Sequence, residues 1–237
     1  GHSSLPRPDN AIYRLASALG RLQTWRFPIH LSDVARAQLA AQAKFVPAPE
    51  AAAIRAAIAL PLNQAAAERL AARSPAYNAI MRTTCIPTML TGGHAENALP
   101  ALARVTVNCR LIPGESAVAV QATLKRVVRD TAVSFEIVTD AKPSPPSPLL
   151  AERLALITAA ATTTWGHAVP FFPVQENGAT DGLFFRNAGI PVYGLTGIAM
   201  PTDESRMHGK DERIPVKSFA EGVVFATALI AEVGKVR

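Results

Sequence analysis

The sequence predicts a mixed helix and strand architecture in two successive units, an α+β unit carrying a helical insertion and an α/β unit behind it. Three observations predict it. Apolar and polar residues alternate with period two over Ala103–Leu111, as in a half-buried strand. Ile12, Leu15, Leu19 and Leu22 recur at helical spacing. The joint Lys142-Pro143-Ser144-Pro145-Pro146-Ser147-Pro148 then divides the chain, because proline and serine terminate regular elements. The expected units are 1–140 and 141–237, and 237 residues suffice for one large or two small domains. Hydrophobic residues at 49% and charged residues at 18% are those of a folded chain.

In order, Pro8-Asp9-Asn10 offers a polar cap for a helix over Ala11–Leu22. From about Leu31 to Ala72 the chain is alanine-rich and broken by Pro47, Pro49 and Pro61, which predicts two or three short helices inserted at about 23–76. Met81–Leu90 reads as a strand ending at Gly92-Gly93, and Ala103–Leu111 as a second. After Pro113-Gly114, Ser116 is placed to cap a helix reaching about Arg129, and Val133–Val138 reads as a third strand. The order helix, strand, strand, helix, strand is that of a split β-α-β-β-α-β unit without its leading strand, which is expected to lie before Gly1. Beyond the joint, helix (Leu149–Trp165), strand (Val169–Val174), short helix (Thr180–Asn187), strand (Pro191–Leu195) and a closing helix (Val216–Val236) give α/β alternation. So few strands make a thin sheet, and its other strands are expected outside this sequence.

The net charge of +6 raises nucleic acid as a partner, but the arginines are scattered along alanine-rich segments and no basic run is interleaved with aromatics. No nucleic acid is therefore expected as a partner. No apolar run reaches the ~18 residues of a membrane span, so no membrane partner is expected either. The chain begins without Met, which leaves cytoplasm and periplasm both open. Cys85 and Cys109 lie in apolar, strand-like runs and read as buried thiols.

Chemistry concentrates in a few loops. His208 sits in Arg206-Met207-His208-Gly209-Lys210-Asp211-Glu212-Arg213-Ile214, a compact turn suited to one zinc ligand oriented by nearby acids. The chain has no His-x-Asp, no Glu-Glu pair and no His-Glu-x-x-His to complete such a site. Glu176-Asn177-Gly178-Ala179-Thr180-Asp181-Gly182 follows a predicted strand and opens a predicted helix, with Thr180 available as a cap and helix amides available for an anion. It reads equally as a simple capped turn. Gly1-His2-Ser3-Ser4 has a second reading as an expression-tag remnant. Asn97 lies between the first two predicted strands, where Asn commonly serves turn geometry, and Arg110 stands alone on a strand. His30, His94 and His167 lack partners at ligand spacing and read as structural.

Taken in order, Gly-His-Ser-Ser-x-Pro, Asn-x-x-Pro, Asn-x-Arg-x-x-Pro-Gly-Glu, Gly-x-Thr-Asp and His-Gly-x-x-Glu-Arg-Ile resemble one family over essentially the whole chain. This is the zinc-dependent aminoacylase and carboxypeptidase family of acetylornithine deacetylase and succinyl-diaminopimelate desuccinylase. The helical insertion and Tyr77-Asn78-Ala79-Ile80-Met81-Arg82-Thr83-Thr84 are most similar to its carboxypeptidase S and N-acyl-amino-acid hydrolase branch.

The resemblance implies a ferredoxin-like lid or dimerisation domain over residues 1–140, followed by the C-terminal part of a dizinc catalytic domain. It implies cleavage of an amide next to a free carboxylate, in an N-acyl amino acid or a peptide C-terminus. The cofactor would be two zinc ions, or other divalent metals, and the partner a second copy joined through the lid. By the same resemblance His208 is a metal ligand, His2 steadies the tetrahedral oxyanion, and Asn97, Arg110, Gly178 and Thr180 bind substrate. The family's other ligands and its general-base glutamate have no counterpart in this sequence. The expectation is a missing N-terminal catalytic segment and an inactive isolated chain. The rival expectation is a non-enzymatic lid-like module for dimerisation or binding. A basic ferredoxin-like RNA binder is set aside for want of exposed strand aromatics.

Overall fold

The computed structural model describes residues 1–139, 142–148, 150–167, 169–176, 178–201, 206 and 209–235. It divides into two compact units, one made of Gly1–Ser144 with Val174–Thr180, the other of Pro145–Pro173 with Asp181–Arg237.

The first unit opens with α1 (Ala11–Thr24), where the Asn10 side chain accepts from the Ile12 N–H at 2.8 Å and the Tyr13 N–H at 3.4 Å. Four short helices follow, α2 (Asp33–Gln42), α3 (Ala48–Ala57), α4 (Gln64–Ala71) and α5 (Pro75–Met81). Ser32, Asn63 and Ser74 cap α2, α4 and α5, accepting from Ala35, Ala66 and Tyr77 N–H groups at 3.0, 3.0 and 3.1 Å, and Pro47 precedes α3. Three of these, α2, α3 and α4, fall within the alanine-rich span expected to hold two or three short helices, and α5 follows it. Leu39, Ile54, Leu70 and Met81 are fully buried, with Ala57 and Ala67 between them. Alanine lets such short helices approach closely while favouring their backbone conformation.

The strand predicted to begin at Met81 begins at Thr84 instead. Ser74 and Pro75 start a helix that carries Ile80 and Met81 into the core of the insertion, and that burial outweighs their strand propensity. Arg82, only 3% exposed, donates to the Phe27 carbonyl at 2.8 Å and pairs with Glu68. Thr83 Oγ1 donates to the Glu115 carboxylate and accepts from Ile112 N–H at 3.0 Å, which fixes where the chain enters the sheet.

β1 (Thr84–Gly92) pairs antiparallel with β2 (Ala103–Arg110), from Thr84 opposite Arg110 to Gly92 opposite Ala103. The register shifts between Pro87 and Met89, where proline has no N–H for the ladder. β2 keeps the predicted alternation, with Val105, Val107 and Cys109 half-buried and Arg104, Thr106, Asn108 and Arg110 exposed. The register sets Cys85 directly opposite Cys109, and the two form a disulfide. The expectation of buried thiols is corrected here, because period-two patterning places both residues on one face without revealing that they face each other.

α6 (Ala117–Val128) packs Val120 and Leu124 against Phe27, with Leu22 and Phe135 alongside. Ser116 holds the cap position but makes no capping hydrogen bond. Three predicted strands are irregular segments with no ladder among the described residues. In Val133–Val138, Phe135 still turns inward against α6. Val169–Val174 sends Val169 and Phe171 into the core of the second unit. In Pro191–Leu195, Ser147 Oγ takes the Val192 N–H at 2.8 Å and donates to its carbonyl at 2.7 Å, in place of a neighbouring strand. Hydrophobic patterning sets side-chain direction, whereas a strand also needs a partner for its backbone groups.

The second unit pairs α7 (Ala151–Trp165) with α9 (Val216–Gly234), and the short α8 (Gly182–Asn187) lies between them in sequence. Its core is small: Ile157, Ala160, Ala161 and Phe225, with Trp165 stacked on Phe225 at 5.4 Å between centroids. Gly197 has φ +64°, and a Cβ there would stand 2.4 Å from Phe225 Cδ1, so only glycine admits the chain so close to that ring. No helix among the described residues is long and apolar enough to cross a membrane.

One contact in the insertion carries a pH prediction. The Tyr77 hydroxyl donates to Glu50 Oε1 at 2.6 Å, and burial, then the bond to Glu50 and its charge, push the phenol up to about 12. A pKa raised on folding gives stability that is complete below the ordinary value of 10 and is lost as pH rises toward 12. Wild type should therefore lose about 1 kcal/mol more than Tyr77→Phe over that window in urea denaturation. Parallel pH profiles for the two proteins would refute the linkage.

Candidate functional site

The N-terminal residues lie alongside the connection between β1 and β2. His2 forms an isolated antiparallel bridge with Ala98, the Leu99 N–H donates to the Gly1 carbonyl at 2.7 Å, and the Ser3 N–H donates to the Asn97 carbonyl at 2.9 Å. His2 and Asn97, 95 positions apart, are thereby brought together with both side chains exposed. The Ser4 N–H donates to His2 Nδ1 at 3.2 Å, and Ser4 Oγ lies 2.8 Å from the same nitrogen. A ring whose Nδ1 accepts from a backbone N–H carries its proton on Nε2 when neutral, leaving Nε2 as a donor directed elsewhere.

Arg110 closes β2 at the end of the ladder away from that connection, on the exposed face. Among the described residues its guanidinium makes no hydrogen bond or ion pair, so its full set of donors is available to a carboxylate. Gly178 and Thr180 are both exposed, in an irregular segment that belongs to the first unit. Thr180 is not the helix cap expected of it. Asp181 occupies that position without a capping bond, and α8 begins at Gly182 and runs only six residues. His208 and its neighbour Met207 lie outside the described residues, as does Asn177. Beside them, Gly209 N–H donates to the Arg206 carbonyl at 2.9 Å and Arg206 pairs with Asp211.

Sequence reading missed Gln175, which fastens the segment carrying Gly178 and Thr180. Its backbone N–H donates to Gln38 Oε1 at 2.8 Å, its side-chain amide donates to the Ile80 carbonyl at 3.2 Å, and Ser32 Oγ donates to its Oε1 at 2.6 Å. A signal was present. Gln38 falls in step with Ala35, Leu39 and Gln42 on the inward stripe of α2, and a polar residue on such a stripe must find a buried partner.

Among the described residues no three His, Cys, Asp or Glu side chains come together to hold a metal ion. These residues do not by themselves fit a metal centre, and what they present are an exposed imidazole at His2 and a guanidinium at Arg110 unengaged among the described residues.

Residues 1–136 match the family described as "Peptidase dimerisation domain", M20_dimer. The chain is 32% identical over 235 residues to the human "N-fatty-acyl-amino acid synthase/hydrolase PM20D1", covering 97% of this chain and 46% of that protein. The chain belongs to the M20 peptidase family. It is also 25% identical over 243 residues to the "Probable carboxypeptidase S-like 2" of Dictyostelium discoideum, covering 99% of this chain and 45% of that protein. Among solved structures, an M20 family metallo-carboxypeptidase, Sso-CP2 from Sulfolobus solfataricus, superposes with a TM-score of 0.61. That likeness covers 97% of this chain and 54% of the other at 17% identity, and it shows the M20 fold alone. The M20 chain described here spans about half the length of the curated relatives it matches. M20 metallopeptidases depend on metal ions, generally zinc, and the names of these homologues are those of hydrolases.

Proposed function

We propose that this chain supplies the lid, residues 1–140, and the C-terminal catalytic segment, residues 141–237, of an M20 amidohydrolase. The whole enzyme would cleave an amide beside a free carboxylate, in an N-acyl amino acid or at a peptide C-terminus. The observation that carries the reading is the juxtaposition of His2 and Asn97, with the His2 proton held on Nε2. A donor placed that way suits an oxyanion that forms only in the transition state. Asn97 would bind the acyl amide and Arg110 the substrate carboxylate, these two from different copies of the paired lid, since they stand at opposite ends of the ladder. Gly178 and Thr180 would line the substrate loop held in place by Gln175. His208 would be this chain's ligand to a zinc ion, with the remaining ligands and the general base outside residues 1–237. The isolated chain would then be inactive, and the lid would pair two copies.

The second unit lends support. Val216, Phe219, Val223 and Ile230 of α9 are 85, 53, 53 and 74% exposed, and Phe184 and Phe185 of α8 are each 54% exposed. Apolar surface of that extent marks a face that packs on further protein, as the rest of a catalytic domain would provide.

The test is metal content and hydrolysis of N-acyl amino acids by the full-length product. Zinc-dependent hydrolysis by that product, with none by residues 1–237, is expected; a full-length product that binds no metal would refute the reading. In that enzyme Arg110→Ala should raise KM about 10- to 100-fold with kcat little changed, the loss of a charge-assisted pair made equally in ground and transition states. Unchanged KM would remove Arg110 from the site.

A further inference from the structure

A second site stands apart from the residues of the amidohydrolase reading and does not rest on it. The C-terminal turns of α1 and α6 flank a cleft of about 520 Å3 lined by Arg21, Thr24, Trp25, Thr123, Arg126 and Arg129, together with Val127. Three guanidiniums on one small cleft repel one another unless something anionic lies between them. Arginine beside a helix C-terminus is ordinarily explained by the carbonyls that end the helix. At the end of α1 that role is already filled, because Arg26 Nη1 donates to the Gln23 and Trp25 carbonyls at 2.7 and 2.8 Å. The carboxylate that follows Arg129 in sequence is also engaged. Asp130 binds Arg14 at 3.1 and 3.2 Å, and its carboxyl is held below the usual range, first by the Ala132 N–H and then by the Arg14 and Arg21 charges.

The three lining arginines are left under-used. Among the described residues Arg126 donates only to the Thr123 hydroxyl, at 2.9 Å. Arg129, past the end of α6 at φ 51°, is exposed, and its side chain makes no hydrogen bond or ion pair among the described residues. Among the described residues Arg21 Nη1 is buried with no hydrogen-bond partner, a cost that a bound acceptor would remove. Trp25, 41% exposed, provides an apolar wall.

We propose that this cleft binds a phosphorylated small molecule, with Arg21, Arg126 and Arg129 on the phosphoryl group and the organic part against Trp25. A carboxylate has two oxygens and is satisfied by one forked guanidinium. A phosphoryl dianion offers three terminal oxygens and matches several guanidiniums at once. The cleft volume suits a phosphate with a single ring.

Calorimetric titration of the full chain with phenyl phosphate, at fixed ionic strength, tests the site. One saturable site per chain is expected, with phenol and benzoate at least about tenfold weaker. Arg126→Gln combined with Arg129→Gln should weaken phenyl phosphate about tenfold or more, the effect of removing charge-assisted bonds. Arg104→Gln, an exposed change of equal charge on β2, should leave binding intact. Should the double variant fail to fold, Arg129→Gln alone carries the comparison, since that side chain holds no contact the fold needs. Non-saturable binding, benzoate binding as tightly, or equal loss in Arg104→Gln would overturn the proposal. A lipid source of the same headgroup is separated by vesicles of phosphatidic acid in phosphatidylcholine. Vesicle capture without phenyl phosphate binding would likewise overturn the small-molecule ligand.

Discussion

His2→Ala in the full-length enzyme is expected to lower kcat about 100- to 1,000-fold while KM stays within about twofold, the pattern of a lost oxyanion donor. The expectation follows from which nitrogen is committed. His2 Nδ1 accepts from the Ser4 N–H, and the backbone on either side is held by Leu99 to Gly1 and Ser3 to Asn97 bonds, so the ring is oriented before substrate arrives. A donor fixed in advance costs no reorganisation when charge develops on the oxygen, and the ground-state carbonyl, less charged, gains far less from it. Steady-state kinetics on an N-acyl amino acid, with metal content measured alongside, separates this from a structural effect. A rise in KM at constant kcat would instead make His2 a simple binding residue, and unchanged kinetics would remove it from the site. His2→Gln, which keeps an N–H donor, should recover part of the loss.

Phe225→Ala should destabilise the second unit by about 3–5 kcal/mol, the usual range for deleting a buried aromatic ring. Phe225 is 2% exposed, stacks on Trp165, and is the largest fully buried side chain of a cluster whose other buried members are Ile157, Ala160 and Ala161, with Val169, Phe171 and Leu229 packed around them. Its loss would leave a cavity that Gly197, lying against the ring, has no side chain to fill. With a domain's total stability typically about 5–15 kcal/mol, such a loss takes away much of it. Urea denaturation followed by Trp165 fluorescence reads the effect. A shift below about 1 kcal/mol would show that the stacked pair contributes little to holding α7 and α9 together.

Helix positions were legible where capping chemistry and periodicity agreed, as at Asn10 before α1, and from apolar content alone over α7 and α9, which have no side-chain N-cap. They were misjudged where those signals competed, as at Met81, which strand propensity assigned to β1 and core burial kept in α5. Site residues were legible as types and motifs. Their assembly was not, since nothing in local sequence says that Gly1–Ser3 aligns with Asn97–Leu99, or that Gln175 reaches across to Gln38.

The sequence by itself determined membership of the M20 family, the helical insertion, the strand pair and the residue types offered for chemistry. All of these follow from composition, periodicity and motif order along the chain. The tertiary structure alone decided that Cys85 meets Cys109, that His2 lies beside Asn97, that Gln175 reaches Gln38, and that Arg21, Arg126 and Arg129 line one cleft. Each of these is a pairing between distant positions, and pairing depends on register and on which backbone groups find partners, quantities that local patterning does not encode.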